Sequence, residues 1–392
     1  MNTQLWLSKL ISFDTTSRHS NLELIDVVDH WFKKHNITPR ITRAANEPKA
    51  NLFASLPAKD GSVQGGIILS GHTDVVPVDN QQWSSNPFEA VEKNGRIYGR
   101  GACDMKGFLA VILSLLPVFQ KQQLSQPIHF AFSYDEEIGC FGAPLLIQDF
   151  LSAGIQPKAC IVGEPTDMRP VVGHKGIQLF QCSIKGLSAH SSLTTQGCNA
   201  IEYAAKLICA IRKLADDIRQ EGPFNADFDI PFTTLTTNIV KGGIAANTIP
   251  DACEFMFEFR HLPEVDPQII LTKIQAYIDN ELLPEIRREY PEGCVTLKNL
   301  AGPPSFEASE TADITQLIRT VSGENAILKV AYATEAGQFQ AANIPTIVCG
   351  PGNIAQAHRA DEYVTIEQLR LCENLLKKLM SNSLNTNGHI AS

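Results

Sequence analysis

The sequence predicts an α/β domain of three layers, interrupted by an inserted α+β domain of ferredoxin-like order. Three observations predict it. Short apolar runs alternate with amphipathic segments over the first ~170 residues, the pattern of a parallel sheet covered on both faces. Between Gly176 and Asn299 the order changes to β-α-β-β-α-β. Beyond Thr311 the α/β alternation returns.

Each element has a local reason. Asn21–His35 carries Leu22, Ile25, Val28 and Phe32 at helical spacing. Gly65–Ser70 is a short apolar run ending at Gly71, the pattern of a buried strand. Met105–Gln120 reads as a helix with an apolar face. Pro127–Ser133 and Lys158–Val162 read as two further strands. In the insert, Gly176–Lys185 alternates polar with apolar residues and Asn199–Glu221 is a long helix. Phe232–Val240 and Ala252–Arg260 are strands joined through Gly242, Gly243 and Pro250. Pro267–Ile286 is the second helix and Cys294–Asn299 the last strand. Gly173-His174-Lys175-Gly176 at the junction reads as a hinge. After the insert come a helix at Thr311–Ser322, strands at Ala326–Val330 and Ile344–Val348, and a helix at Ile366–Ser381, with a polar tail from Asn382. There is no internal repeat.

Composition narrows the class. The 392 residues include 42 acidic and 33 basic side chains, a formal net charge of −9, with 44% hydrophobic and 19% charged residues. These values exclude a disordered chain, a collagen and a disulfide miniprotein. The acidic balance argues against a nucleic-acid or anionic-membrane partner. The ten cysteines form no C-x-x-C pair and most sit in apolar runs, so they read as reduced, buried thiols. The N-terminus lacks the charged and apolar regions of a secretory signal. The longest apolar stretch, Phe108–Phe119, is too short to span a bilayer. The expected setting is a reducing cytoplasm.

Candidate chemistry gathers where the strands end. His72-Thr73-Asp74 follows GGIILSG, and Asp104 lies in GRGACDMKG. Asp135-Glu136-Glu137 follows HFAFSY, Glu164 follows ACIVG, and His358 lies downstream of TIVCG. In an open parallel sheet the carboxyl ends of the strands share one crevice, so residues distant in sequence converge there. Each residue alone has a plainer reading: a hydrogen-bonded turn, a helix cap, a solvated pair. Together they offer nitrogen and oxygen ligands and no thiolate, a set that suits zinc, cobalt or manganese. Several carboxylates brought together need a counter-charge. Two His, one Asp and two Glu carry −3. Two divalent ions supply +4, and a shared hydroxide closes the sum, which favours a two-metal site.

HTDVVP at 72–77, GRGACDMKG at 99–107, YDEEIG at 134–139, GEPT at 163–166 and the late His358 resemble the co-catalytic di-zinc amidohydrolases. That family includes acetylornithine deacetylases, succinyl-diaminopimelate desuccinylases, aminoacylases and glutamate-releasing carboxypeptidases. The resemblance runs in order over nearly the whole chain. It implies a zinc-peptidase-like catalytic domain with its first part at 1–174 and its second at 302–392. The insert, 175–301, would be the lid and dimerisation domain. It implies two divalent ions, zinc with cobalt as the alternative. Asp104 would bridge them; His72 and Glu164 would complete one site, and Glu137 and His358 the other. Glu136 would be the general base and Asp74 the carboxylate that orients His72. A non-proline cis peptide is implied at Asp104–Met105. In the insert, His190 would reach across a homodimer to the partner's substrate carbonyl. Asn247 and Arg260 would hold the substrate carboxylate, although Arg260 also reads as a strand-end salt bridge.

The implied reaction is hydrolysis of a small N-acyl amino acid. The stretch 333–364 is most similar to acetylornithine deacetylases, which implies N-acetylornithine, ornithine and acetate, in arginine biosynthesis. The alternatives are a succinyl-diaminopimelate desuccinylase and a broader N-acyl-amino-acid deacylase or dipeptidase. An ornithine ammonium would call for an acidic contact, and Glu335, Asp361 and Glu362 are the candidates.

Overall fold

A computed structural model describes residues 1–385. The chain divides into two compact units. One comprises residues 1–173, 306–328 and those from Thr334 on; the other comprises 174–305 with 329–333.

The first unit opens with helices α1 (Thr3–Ile11), capped by the Asn2 side chain, and α2 (Leu22–Lys34). Strands β1 (Arg40–Arg43) and β2 (Ala50–Leu56) form an antiparallel pair, followed by β3 (Ile67–His72). A hairpin of Val91–Lys93 and Arg96–Tyr98 turns at Asn94-Gly95, where both residues have positive φ, as such two-residue turns require. Helix α3 (Lys106–Gln120), strand β4 (Ile128–Ser133), helix α4 (Gly142–Ser152) and strand β5 (Ala159–Pro165) complete the segment. Every residue of β4 and β5 is buried, which is why both read as largely apolar segments.

The second unit carries β6 (Gly176–Lys185), β7 (Ala189–His190), helix α5 (Ala200–Glu221), β8 (Thr234–Gly242), β9 (Thr248–Ile249) and β10 (Ala252–His261). Helices α6 (Pro267–Tyr277) and α7 (Leu283–Glu289) and strand β11 (Cys294–Ala301) follow. The four long strands form one antiparallel sheet in the order β11-β6-β10-β8, the ferredoxin-like arrangement. Alternate residues of β6 and β10 (Phe180, Cys182 and Ile184; Phe255, Phe257 and Phe259) face one side. There they meet Tyr203, Leu207 and Ile211 of α5 and Ile270 and Ile274 of α6. Asn199 and Asp266 cap the two helices with their side chains. The helix expected to run unbroken through Pro267–Ile286 contains a π-turn at Ile278–Leu282. Pro284 explains it: proline donates no hydrogen bond, and its ring would press on the Asn280 carbonyl one turn back.

The chain then returns to the first unit. It adds α8 (Asp313–Ser322), α9 (Ala336–Ala341), strand β12 (Thr346–Gly350) and α10 (Ile366–Asn385). The central sheet has six strands in the order β1-β2-β4-β3-β5-β12. Strands β4, β3, β5 and β12 are parallel, as expected, whereas β1 and β2 are antiparallel additions at one edge. The six residues between β1 and β2 are a hairpin connection, too short for the crossover that a parallel pair needs. The strand expected at Ala326–Val330 is confined to Lys329–Val330. The tail expected from Asn382 is helical to Asn385, and its remainder lies outside the described residues. All ten cysteines are free thiols. Eight are buried, Cys294 is half-buried and Cys209 is exposed. No helix among the described residues is long and apolar enough to cross a membrane.

Candidate metal centre

The carboxyl ends of β3, β4 and β5 deliver His72, the Asp135–Glu137 turn and Glu164 to one place. His72 Nδ1 lies 2.9 Å from the Asp74 carbonyl oxygen. A carbonyl only accepts, so Nδ1 donates to it, and Nε2 is the nitrogen turned toward the other carboxylates. Nε2 faces Asp104 Oδ1 at 3.1 Å and Glu164 Oε1 at 3.7 Å. On the far side of Asp104, Oδ2 lies 3.3 Å from His358 Nε2, which is 3.0 Å from Glu137 Oε2. One carboxylate thus presents its two oxygens to two separate His–Glu pairs. His72, Glu136 and Glu164, and likewise His72, Asp104 and Glu137, bring ligand atoms within 4.8 Å of one another.

This arrangement is electrostatically incomplete. Glu137 Oε1 and Glu164 Oε1 are buried and have no hydrogen-bond partner. Burial pushes the carboxyls of Glu136 and Glu164 well above the usual range, helped by neighbouring carboxylates. Burial and the Asp104 charge push Glu137 up to about 7, against the His358 hydrogen bond. Burial opposes a charge on His72, but hydrogen bonds to Asp104 and Asp74 prevail and raise its pKa well above normal. Hydrogen bonds to Asp104 and Glu137 raise His358 to about 10. Burial would raise Asp104, yet its two histidine partners hold it below the carboxylate range. The buried oxygens without partners and the all-N/O donor set fit a pair of divalent cations.

The supports are specific. Asp74 places its carbonyl, at 2.9 Å, nearer to His72 than its carboxylate, whose Oδ1 is 3.6 Å away. The Asp74 carboxylate accepts from Ser17 Oγ at 2.7 Å and from the backbone N–H groups of Glu136 and Glu137 at 3.1 and 3.2 Å. It therefore pins the turn that carries both glutamates. Asp135, in the left-handed region at φ 55°, turns away and pairs with buried Lys49 at 2.7 Å. The Asp104–Met105 peptide is cis, as the resemblance implies.

Arg100 and the part that Glu362 plays with it escape a reading of the sequence alone. Glu362 Oε1 accepts from the N–H groups of Cys103 and Asp104 at 2.8 and 3.0 Å. Its Oε2 accepts from Gly101 N and from Arg100 Nη1 at 3.0 and 2.7 Å. Arg100 and Glu362 are each 1% exposed and together lock the loop that presents Asp104. The pairing arises because Tyr363–Thr365 adds to the 91–98 hairpin and sets Glu362 against Gly99–Asp104. The only signal in the sequence is an Arg inside GRGACDMKG, which has no visible partner.

Two of the three acids considered for an ornithine ammonium are committed elsewhere, and the third has both carboxylate oxygens buried without a hydrogen-bond partner. Glu362 serves Arg100, both oxygens of Asp361 accept from Ser84, and Glu335 is buried at 1% exposure. In the second unit, His190 is exposed on β7, its Nδ1 2.8 Å from Ser192 Oγ. The two-stranded pairing of β7 with β9 brings it beside Asn247, whose carbonyl accepts from Ser191 N at 3.0 Å. Arg260 near the end of β10 pairs with Glu258 at 3.0 Å and is not grouped with them by any contact.

A sheet crevice that gathers imidazoles and carboxylates around one twofold-facing Asp defines a metal-dependent hydrolase. Residues 68–382 match Peptidase family M20/M25/M40, and the chain belongs to that family. It is 34% identical over 371 residues to the acetylornithine deacetylase of Pasteurella multocida (strain Pm70), covering 94% of this chain and 93% of the relative. The fold is similar to that of an M20 family metallo-carboxypeptidase from Sulfolobus solfataricus, with a TM-score of 0.76 at 16% identity, over 98% of this chain and 99% of that one. A dinuclear metal-binding peptidase of the M20 family from Bacillus subtilis gives a TM-score of 0.66 at 15% identity, over 98% of each chain.

Proposed function

We propose that this chain hydrolyses the amide of an N-acyl amino acid, N-acetylornithine foremost, releasing acetate and ornithine in arginine biosynthesis in the cytoplasm. The observation that carries the reaction class is Asp104, whose two oxygens face His72 with Glu164 and His358 with Glu137. The substrate rests on the 34% identity to a relative named acetylornithine deacetylase.

In this reading His72, Asp104, Glu137, Glu164 and His358 would hold two divalent ions, zinc or cobalt. When bound, the ions polarise the amide carbonyl and lower the pKa of water from 15.7 to about 7. The remaining work belongs to the chain. Glu136 takes the proton from the attacking water and hands it to the departing amine. Asp74, through two backbone N–H groups, fixes the turn on which Glu136 rides. The 174–305 unit acts as lid and dimerisation domain. His190 donates to the developing oxyanion in the partner subunit's site, and Asn247 and Arg260 receive the substrate carboxylate, once Arg260 exchanges Glu258 for it. A homodimer is supported by β8, an edge strand with Ile239 45% and Val240 55% exposed, and by Ile201 of α5, 38% exposed against Gly242 and Gly243 at the end of that strand.

Two measurements test the reading. Glu136→Gln is expected to retain two ions per chain by metal analysis and to lose turnover by about 10²–10⁴-fold; undiminished turnover would remove Glu136 from its role. Steady-state rates on N-acetylornithine, N-succinyl-diaminopimelate, N-acetylmethionine and a dipeptide, with metal content known, test the substrate. A higher kcat/KM on any of the last three overturns the choice of N-acetylornithine.

A further inference from the structure

Cys140 occupies an unusual position for its residue type. Its φ is 56°, in the left-handed region that glycine and asparagine favour, and it is 2% exposed. Its Sγ lies 3.4 Å from Glu136 Oε1, within hydrogen-bond range for sulfur. The turn between them is tight: the N–H groups of Gly139 and Cys140 both donate to the Glu136 carbonyl, at 3.0 and 2.9 Å. Outside the turn, Gln338 Nε2 of α9 donates to the Cys140 carbonyl at 2.9 Å. Thus a helix from beyond the insert holds the peptide, and the peptide aims the thiol. A residue retained in a costly conformation beside a reactive group points to a task there.

We propose that Cys140 is a positioning residue for Glu136: its S–H donates to Oε1, fixes the carboxylate rotamer and leaves Oε2 as the oxygen that exchanges protons with water and substrate. This rests on Glu136 being the general base. The thiol suits the task because it is a weak donor with little affinity for a proton, so it orients the carboxylate without competing for what the base must carry. Glycine would fit the backbone better but would leave Glu136 free to rotate, and serine would place its oxygen farther from Oε1 than the longer C–S bond places sulfur. No bond is made or broken at Cys140.

The test uses the full chain with its metals, and the metal-free chain for spectroscopy. Cys140→Gly and Cys140→Ala are expected to keep two ions per chain and an unchanged KM while kcat falls about tenfold. Cys140→Gly should also keep or raise the Tm, because it relieves the positive φ. Cys140→Ser should recover part of the loss. In a Glu136→Gln background, Cys140→Ala should cost nothing further. In the metal-free chain, the S–H stretching band removed by Cys140→Ala should lie below those of the other cysteines and should move in Glu136→Gln. Wild-type kcat in both Cys140→Gly and Cys140→Ala, or a band that Glu136→Gln leaves in place, overturns the inference. A fully active Glu136→Gln with a shifted band would instead sink the base assignment and leave the hydrogen bond standing.

Discussion

At the residue scale, the centre depends on groups that never touch the metals. Arg100 and Glu362 are the clearest case. Each is 1% exposed, and the carboxylate accepts four hydrogen bonds that fix residues 100–104. Removing one partner of a buried pair strands the other charge. Arg100→Met is therefore expected to destabilise the protein by about 3–5 kcal/mol in denaturant unfolding and to weaken metal retention during dialysis. A loss below about 1 kcal/mol would show the pair to be dispensable. Of the candidate ligands, His72, Glu137 and Glu164 were legible because each lies at or just beyond the end of a buried strand, whereas Asp104 was read from its GRGACDMKG motif. Glu362 was not, because its role depends on a hairpin contact 262 residues away in sequence from Arg100. Arg260 shows the converse: a substrate ligand by resemblance, it is held by Glu258 within its own strand.

At the element scale, β5 shows how packing sets ligand position. Gly163 precedes Glu164, and a Cβ there would lie 2.1 Å from the Phe108 ring of α3. Gly163→Ala must push α3 and β5 apart. An overpacking cost of about 1–3 kcal/mol in denaturant unfolding is expected, with weaker metal binding. Normal stability and metal affinity would show that the crowding relaxes freely. The lid edge carries its own prediction. If the proposed homodimer forms through this edge, a lysine on the exposed strand β8, Val240→Lys, should yield a monomer in sedimentation and lower turnover by roughly 10²-fold, through loss of His190 from the opposite chain. A fully active monomer would contradict the assignment of His190. Elements were legible where burial imposes a period. Strands β4 and β5 are buried throughout and β6 alternates. The β1 segment RITR is almost wholly exposed and shows no such pattern, so the antiparallel edge that it starts went unread. Helix α4 and the π-turn in the second unit depend on packing and on a single Pro284.

At the scale of the whole molecule, the buried acids link stability to pH. Burial raises Glu137 and Glu335 to about 7 and Asp135 to about 6. Between about pH 4.5 and 7 the folded metal-free chain therefore holds protons that the unfolded chain has released. Since the folded state binds more protons, stability falls as pH rises through this window. The histidines act in the same direction above their ordinary range, since the folded state keeps protons on His72 and His358. Lys106, lowered to about 7 by burial, offsets part of the trend only above neutrality. The chelated protein is expected to have a lower Tm at pH 7 than at pH 5, and metal should shrink the difference by removing the contribution of Glu137. A Tm of the chelated protein that is flat or rises across this interval would refute the linkage.

The sheet order β1-β2-β4-β3-β5-β12 has a consequence for the order of events during synthesis. Strand β12 lies beside β5, yet about 180 residues, with the entire second unit among them, emerge between the two strands. His358 and Glu362 follow β12. A nascent chain that has finished its insert still lacks the histidine opposite Glu137 and the clamp on the Asp104 loop. The hydrolytic centre is thus withheld until the closing strand has left the ribosome and docked, and no earlier folding intermediate carries the complete ligand set.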